Sequence, residues 1–535
     1  MSKRKENESV SQSTVVFVAC FLFLAAIARS QTIVRSFDGD AGPGAEVCDA
    51  GRTHCGWADM NVGVNGTQVV QVTWQNIRVY DYTGRLLQST PMEAFIGDAG
   101  LEAIPTPRTA AAAAKAPPLK PGPYEPTVAF DEFINRWIVS VTGKSDSLVV
   151  SATADALGAW KGVNLSCLRD GPCLNFDPAL RLGFDKNGVY YCGAHPGESN
   201  PHTLEGVAYD CFAVPSIEVA AIGQGAVPAH INRAHAMPHE VIPVVDHNRN
   251  KAPGAPAYFM AKTCDRSVQG GCQNAMHYSF EWIVDSFTWN GPIGTYNEQL
   301  VKTGVGSREN KWLFSKPCCG SQASSPQAGN DKVNLRGAES HRFNNAVQFG
   351  TRLHGVMSSG PCASDCGDQG TDTNNIALWV EMDCSKPAAC VVSQAAKISG
   401  PNVNPEFATT GVDAAGNVGI TAVSWTPTTN LSILLWTHRV SDPPNTMNGP
   451  TIIIAGTQPY TCEPDRTYAN VENPAGVITA VEPGDGTKLW VSHQWANSAA
   501  RCVWNTRIIQ YQIVSSTRRI RSPRTGHPSF RKVSR

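Results

Sequence analysis

The sequence predicts an all-β protein, a six- or seven-bladed β-propeller of antiparallel sheets stapled by disulfides. Three observations predict this fold: the apolar segments are short and bounded by turn residues, an aspartate–turn–strand unit recurs, and cysteines are numerous. The 535 residues include 47 glycines and 36 prolines, which is more turn chemistry than a globular chain usually carries. Hydrophobic residues make up 42% of the chain, so a core can form.

Short apolar segments rich in β-branched residues and tryptophan predict strands. Each ends at Gly, Pro, Asn or Asp, which is typical of strands joined by tight turns. The segments are Val69–Val72, Trp137–Val141, Leu148–Ala152, Ile376–Val380, Ile420–Val423, Leu431–Trp436 and Ile452–Ala455. The strongest helix former, Ala110–Ala114, precedes a proline-rich run, so residues 106–126 are predicted to form an Ala/Pro-rich surface linker.

A recurring unit indicates the blades. It consists of an apolar or aromatic residue, an aspartate, a short turn and a strand, and a step of roughly 50–60 residues is typical of propeller blades. The aspartate accepts backbone N–H groups two residues further on, and Gly or Asn takes the positive φ of a tight hairpin. The unit occurs at Asp81, Asp131, Asp185, Asp246, Asp413 and Asp485, with a degenerate copy at Gly350. We expect a further blade around Phe280–Trp289; paired Greek-key sandwiches are the alternative fold.

The two ends of the chain differ from its body. Lys3, Arg4 and Lys5 precede 13 apolar residues, 15–27, whereas a membrane span needs about 20. Residues 1–30 therefore predict a signal peptide cleaved before Gln31, with a short membrane anchor as the alternative. Residues 31–516 form one predicted propeller domain, and residues 517–535, with seven basic side chains and no acidic one, predict a disordered tail. Residues 14–516 carry a formal charge of −9, which argues against binding nucleic acid.

Cysteine spacing and glycosylation sequons are those of an exported glycoprotein. Sixteen cysteines follow the signal peptide, none in the Cys-x2-Cys spacing of zinc knuckles, so disulfides are favoured over zinc. The close pairs are Cys48/Cys55, Cys167/Cys173, Cys264/Cys272, Cys384/Cys390 and Cys362/Cys366; Cys318, Cys319, Cys192/Cys211 and Cys462/Cys502 complete the set. The connectivity stays open. Sequons predict glycosylation at Asn65, Asn164 and Asn430.

Three stretches resemble a group of exported β-propeller proteins found mainly in bacteria. They are Glu125–Trp137 (EPTVAFDEFINRW), Leu182–Tyr190 (LGFDKNGVY) and Ala255–Phe259 (APAYF), and the similarity covers roughly residues 60 to 510. These are blade-framework motifs, so the resemblance implies the propeller fold. It implies no reaction, because no chemistry is generally assigned to that group. The cysteine richness and basic tail of this chain depart from it.

Two clusters are candidates for chemistry. His235 and His239, in a histidine-rich segment that runs to His247, are candidate catalytic residues together with Asp246 and Asp131, because imidazole and carboxyl groups serve as acids and bases. A loop of exposed histidines is the alternative. Asp365, Asp368 and Asp372 lie on a glycine-rich loop and are candidate ligands of a divalent cation such as calcium, with Asx turns as the alternative.

The sequence favours a binding function. It contains no nucleophile elbow, phosphate loop, dinucleotide fingerprint or sialidase Asp box. Tryptophans at strand ends and in loops have flat aromatic faces on which sugar rings can stack: Trp57, Trp160, Trp289, Trp312, Trp425, Trp495 and Trp504. We expect a secreted monomer that binds a polysaccharide or glycoprotein on one disc face, with no nucleic acid and no membrane span after cleavage. A polysaccharide lyase or glycoside hydrolase acting at the channel mouth is the alternative, and whether the protein is an enzyme stays open.

Overall fold

The computed structural model shows a seven-bladed antiparallel β-propeller, as the sequence predicts. It describes residues 31–42, 58, 60–101, 124–142, 147–165, 177–199, 207–237, 240–252, 254–264, 280–297, 325–327, 330–337, 343–359, 375–400, 403–460, 468–471, 479–484, 486–498, 500 and 503–514. Within these residues, no helix is long and apolar enough to cross a membrane.

Each blade is a sheet whose first strand lies at the central channel and whose last strand lies at the rim. Blade 1 comprises β2 (Asn61–Val64), β3 (Gln68–Val72), β4 (Asn76–Asp81) and β5 (Leu86–Pro91). Blade 2 comprises β6 (Tyr124–Asp131), β7 (Arg136–Thr142), β8 (Ser147–Ser151) and β9 (Trp160–Asn164). Blade 3 comprises β10 (Asp177–Phe184), β11 (Gly188–Ser199), β12 (Val207–Pro215) and β13 (Asn232–Met237). Blade 4 comprises β14 (Glu240–Pro243), β16 (Ala257–Cys264), β17 (Phe280–Asn290) and β18 (Ile293–Asn297).

The remaining blades follow the same order, with two additions. Blade 5 comprises β21 (Phe343–Phe349), β22 (Arg352–Ser359), β23 (Ile376–Asp383) and β24 (Val391–Ile398), and β15 (Val245–Asp246) joins β21 in parallel. Blade 6 comprises β25 (Pro405–Val412), β26 (Val418–Thr426), β27 (Thr429–His438) and β28 (Asn448–Gly456). Blade 7 comprises β30 (Ala480–Val481), β31 (Lys488–Trp495), β32 (Asn505–Ile513) and β1 (Gln31–Ala41). A small sheet holds β19 (Ser325–Gln327), β20 (Asn330–Gly337) and β29 (Tyr468–Val471), and the helices are α1 (Met92–Asp98) and α2 (Ser216–Ile222).

The core lies between the blades, which explains why the inner strands are solidly apolar. Strands β25 and β26 are buried along their whole length, whereas β5 and β28 are mostly exposed. A sheet covered on both faces has no solvent side, so its strands need not alternate polar and apolar residues. The strand tryptophans Trp137, Trp379, Trp436 and Trp490 are all buried in this core.

The first strand closes the ring as the rim strand of the last blade. Strand β1 pairs with β32 and begins at Gln31, the residue that follows the predicted signal peptide. Its buried Asp40 forms a 2.6 Å ion pair with Arg78 of blade 1, and Gln71 Nε2 of blade 1 donates to Ser492 Oγ of blade 7 at 2.7 Å. These contacts join the last blade to the first and so close the ring.

Some predicted elements lie elsewhere in the fold. The expected extra blade at Phe280–Trp289 is wrong, because this segment is β17, which pairs with β16 inside blade 4. Asp81 lies at the end of the third strand of blade 1 and not of its first strand. Strand β6 begins at Tyr124, so the last three residues of the predicted linker lie in a strand.

Two disulfides lie among the described residues, and both join predicted pairs. They are Cys192–Cys211, which links β11 to β12, and Cys384–Cys390, which closes a short hairpin after β23. Cys264 ends β16, and its side chain is outside the described part of the chain. The other predicted disulfide cysteines lie wholly outside the described residues: Cys48, Cys55, Cys167, Cys173, Cys272, Cys318, Cys319, Cys362, Cys366, Cys462 and Cys502.

The three sequon asparagines are half-buried. Asn65 lies in the first turn of blade 1, and its amide nitrogen donates to the carbonyl of Ala154 at 2.8 Å. A glycan would replace one of the two hydrogens on this nitrogen and leave the other to donate to Ala154, so glycosylation at Asn65 also stays a prediction. Glycosylation at Asn164 and Asn430, which lie at strand ends, stays a prediction.

Candidate functional site

Four aspartates of the recurring unit lie at the ends of strands next to the channel, whereas Asp81 does not and Asp485 is outside the described residues. Asp131, Asp185, Asp246 and Asp413 each accept the backbone N–H two residues further on, at N···O distances of 2.9, 2.7, 2.9 and 2.9 Å. All four are buried. The predicted turn chemistry is therefore confirmed at these positions, and it places four carboxyl groups at the same end of the channel. We call this end of the disc the turn face.

A cavity of about 510 Å³ occupies the channel mouth at the turn face. We call it the mouth cavity. Its wall comes from the residues that follow β6 and β15 on one side and from the ends of β21, β25 and β30 on the other. The polar side chains in this wall are Glu132, His247, Asn248, Arg249, Gln348, Asp413 and Glu482, and its aromatic side chain is Phe349.

A carboxylate–imidazole pair forms one side of the mouth cavity. Glu132 Oε1 lies 2.7 Å from His247 Nδ1, and the imidazole packs edge-on against the Phe184 ring at 5.4 Å. Burial works against both charges, yet each ion stabilises the other, so the pKa of Glu132 is lowered and the pKa of His247 is raised. Because Glu132 engages Nδ1, Nε2 is the nitrogen of His247 that remains for a ligand.

Beneath this pair, a buried lysine joins two of the turn aspartates. Lys251 Nζ donates to Asp185 Oδ2 at 2.7 Å and to Asp246 Oδ2 at 3.0 Å. The other oxygen of Asp185 accepts the Tyr190 hydroxyl at 3.1 Å, which in turn accepts Trp289 Nε1 at 2.8 Å. Burial raises the pKa of Asp246 even beside the Lys251 ammonium. The network locks blades 3 and 4 together under the cavity floor.

Asp131 is the least compensated carboxyl group of the cluster. Its Oδ1 caps its own turn, but its Oδ2 is buried and has no hydrogen-bond partner among the described residues. Burial, together with the negative charges of Glu132 and Asp185, raises the pKa of Asp131 to about 7. Its turn N–H groups act against this shift. The carboxyl group therefore exchanges its proton close to neutral pH.

The structure brings together two of the four predicted catalytic residues. Asp131 and Asp246 lie in the cluster under the mouth cavity, but both are almost fully buried. His235 lies on β13, the rim strand of blade 3, so its backbone is far from the channel mouth in the blade order. His239 lies outside the described residues.

The predicted cation ligands Asp365, Asp368 and Asp372 also lie outside the described residues. Within the described part of the chain, no group of three or more His, Cys, Asp or Glu side chains is arranged to hold a metal ion. The calcium hypothesis therefore stays a prediction about the 360–374 segment.

None of the five described tryptophans that were predicted to stack on sugars lines the mouth cavity. Trp425 and Trp504 are fully buried, and Trp160, Trp289 and Trp495 are half-buried elsewhere. Trp57 and Trp312 lie outside the described residues. The aromatic residue of the mouth cavity is instead Phe349, which is 37% exposed. Phe349 directly precedes Gly350, where the degenerate copy of the recurring unit is predicted, and this position is the signal in the sequence that could have found it.

The comparisons with known proteins leave the chemistry of this site open. No protein-family model matches the chain, and no curated protein matches it in sequence. A polysaccharide lyase, an ulvan lyase solved with a bound saccharide, has a TM-score of 0.39 at 10% identity, over 73% of this chain and 82% of that one. A protein of unknown function from Dyadobacter fermentans has a TM-score of 0.38 at 10% identity, over 91% and 100%. The endosialidase of phage phi92 has a TM-score of 0.37 at 7% identity, over 94% and 71%.

These similarities carry no functional argument, because every TM-score is below 0.5 and fold does not determine function. What the strands and the site define together is a seven-bladed antiparallel propeller with a polar cavity at one channel mouth. The function has to be argued from the side chains of that cavity.

Proposed function

We propose that this protein is a secreted propeller that binds a carbohydrate in the mouth cavity. The observation that carries the proposal is the composition of the cavity wall, where the exposed ring of Phe349 stands among amide, carboxylate, imidazole and guanidinium groups. A sugar ring offers hydroxyl groups at its edge and an apolar C–H face, so it needs both kinds of partner. A cavity of about 510 Å³ is within the usual size range of small-ligand sites.

Secretion is supported by independent features of the chain. The basic and apolar segment at residues 1–30 has the pattern of a signal peptide. The described residues contain two disulfides, which persist in oxidising compartments.

Replacing the aromatic ring tests the binding site directly. We expect Phe349→Ala to weaken binding of the cognate oligosaccharide by about 5- to 10-fold, because a stacked aromatic contact contributes about 1 kcal/mol. The ligand is first found by screening the mature chain, Gln31 onward, against a polysaccharide and oligosaccharide array, and the affinity is then measured by calorimetry.

The control for Phe349→Ala is Ile293→Ala, which removes an exposed apolar side chain from the rim strand β18. This variant should bind like the wild type. Equal affinity of the Phe349→Ala protein and the wild type would contradict the mouth cavity as the binding site, and the absence of any retained saccharide would contradict the function.

The Glu132–His247 pair supports one second candidate, an enzyme that cleaves the bound glycan. An imidazole held by a carboxylate can accept and return a proton, which lyases and hydrolases both require. Mass spectrometry of the polysaccharides after incubation separates the alternatives: unsaturated ends identify a lyase and new reducing ends a hydrolase. In that case, His247→Gln should abolish turnover. Unchanged polysaccharide that is nevertheless retained supports binding alone.

A further inference from the structure

We infer that the glycan in the mouth cavity carries an anionic group, a carboxylate or a sulfate, and that Arg249 and His247 bind it. This inference rests on the proposed function and adds the class of ligand to it. It is carried by the difference in accessibility between the cations and the acids of the cavity wall.

The basic side chains of the cavity wall are more exposed than its acidic side chains. Arg249 is exposed, and the His247 side chain is 26% exposed. The side chains of Glu132 and Glu482 are only 7% and 14% exposed, and Asp413 is 3% exposed. A ligand that enters the cavity therefore meets positive groups first.

The acids, in addition, already have partners within the protein, although Glu132 Oε2 is buried without a hydrogen-bond partner among the described residues. Both oxygens of Asp413 accept hydrogen bonds inside its own turn. Glu482 binds Lys488 at 3.3 Å and accepts Gln510 Nε2, and Glu132 holds His247. These contacts fix the three carboxylates in the wall, and two of them, Glu132 and Glu482, are each paired with a basic side chain of the protein itself.

Among the described residues, Arg249 has no such partner. It forms neither a hydrogen bond nor a salt bridge with any residue of the described chain, although its charge helps to lower the pKa of Glu132. A guanidinium presents a fork of N–H donors that matches the two oxygens of a carboxylate or sulfate. His247 Nε2 adds one more donor when the imidazole is protonated, and its pKa is raised because Glu132 outweighs the effect of burial.

The test uses three oligosaccharides with one backbone: neutral, uronate-bearing and sulfated. We expect an acidic member to bind more tightly than the neutral one and to lose affinity when NaCl is raised from about 50 to 500 mM, because salt screens exposed charges. Arg249→Gln should weaken binding of the acidic oligosaccharide by about 10- to 100-fold, the usual range for a lost charged hydrogen bond. Its affinity for the neutral oligosaccharide should be unchanged. The preference between uronate and sulfate identifies the anionic group.

The matched control is Arg85→Gln. Arg85 lies in the β4–β5 turn of blade 1, its side chain is 75% exposed, and its replacement removes the same unit of charge. Affinity lost in both variants would show a general charge effect and overturn the assignment. Equal binding of neutral and acidic members, unaffected by Arg249→Gln, would overturn the inference while the proposed function stands. No binding by any member would overturn both.

The pH dependence of sulfated-ligand binding gives a second readout, since a sulfate does not titrate between pH 5 and 9. The titratable and charged groups that face His247 are Glu132, Asp131, Asp246 and Arg249. Asp131 titrates in the same window, so the measurement is made in an Asp131→Asn background. In this background, affinity for the sulfated oligosaccharide should fall as pH rises, because His247 loses its proton. An affinity that does not change with pH would show that His247 does not bind the ligand.

Discussion

Lys251→Met is expected to destabilise the propeller by about 3–5 kcal/mol near neutral pH, the cost of removing one member of a buried ion pair. The Lys251 side chain is only 3% exposed and is the cation shared by Asp185 and Asp246, both of which are buried at the cavity floor. Methionine fills a similar volume but leaves two carboxylates without a counterion. Chemical denaturation of the full mature chain, followed by tryptophan fluorescence, measures the change.

Two further variants show whether charge is the cause. Lys386→Met, at an exposed position, should stay within about 0.5 kcal/mol of the wild type. Adding Asp185→Asn and Asp246→Asn to Lys251→Met should restore much of the lost stability, because the uncompensated charges disappear. If Lys251→Met costs no more than Lys386→Met, the buried ion pair does not hold blades 3 and 4 as described.

The fold was predictable because a propeller repeats local chemistry. Each Asp-containing turn can be recognised from a few consecutive residues, and uninterrupted apolar segments indicate strands that are covered on both faces. The assignment of strands to particular sheets was harder to predict from the sequence. Phe280–Trp289 has the pattern of any strand, and only pairing with β16 shows that it belongs to blade 4. The closing strand Gln31–Ala41 is polar and charged, so no apolar pattern marks it, and its partner β32 lies at the other end of the chain.

The site was partly predictable for the same reason. Asp131 and Asp246 were candidates because their carboxyl groups can serve as acids or bases. Both also begin turns of the recurring unit, and the residues directly after them, Glu132 and His247, line the mouth cavity. The sequence does not show that these turns lie next to each other in the folded protein. Glu132 and His247 are 115 positions apart and become partners only because their inner strands surround one channel. The histidine-rich segment was misleading for His235, because nearness in sequence does not bring a rim strand to the channel.

Asp131→Asn is expected to change how the stability of the protein depends on pH. The folded-state pKa of Asp131 is raised to about 7 from an ordinary value of 3.8. Its contribution to stability is therefore fully present below about pH 4 and is lost as pH rises through about 7. Between pH 5 and 9 the stability of the variant, measured relative to the wild type, should rise by about 2–4 kcal/mol, since each pKa unit corresponds to about 1.4 kcal/mol.

The substitution suits the site because Asn retains the turn. Its Oδ1 can still accept the N–H groups of Phe133 and Ile134, and the charge that burial opposes is gone. Asp81→Asn is the matched control: Asp81 caps a similar turn, but its side chain is 25% exposed, and hydrogen bonds led by the Thr83 hydroxyl lower its pKa to about 2. Its replacement should leave the pH dependence between 5 and 9 unchanged. Parallel pH profiles for Asp131→Asn and the wild type, from denaturation midpoints at pH 5, 7 and 9, would show that Asp131 is already ionised in the folded protein.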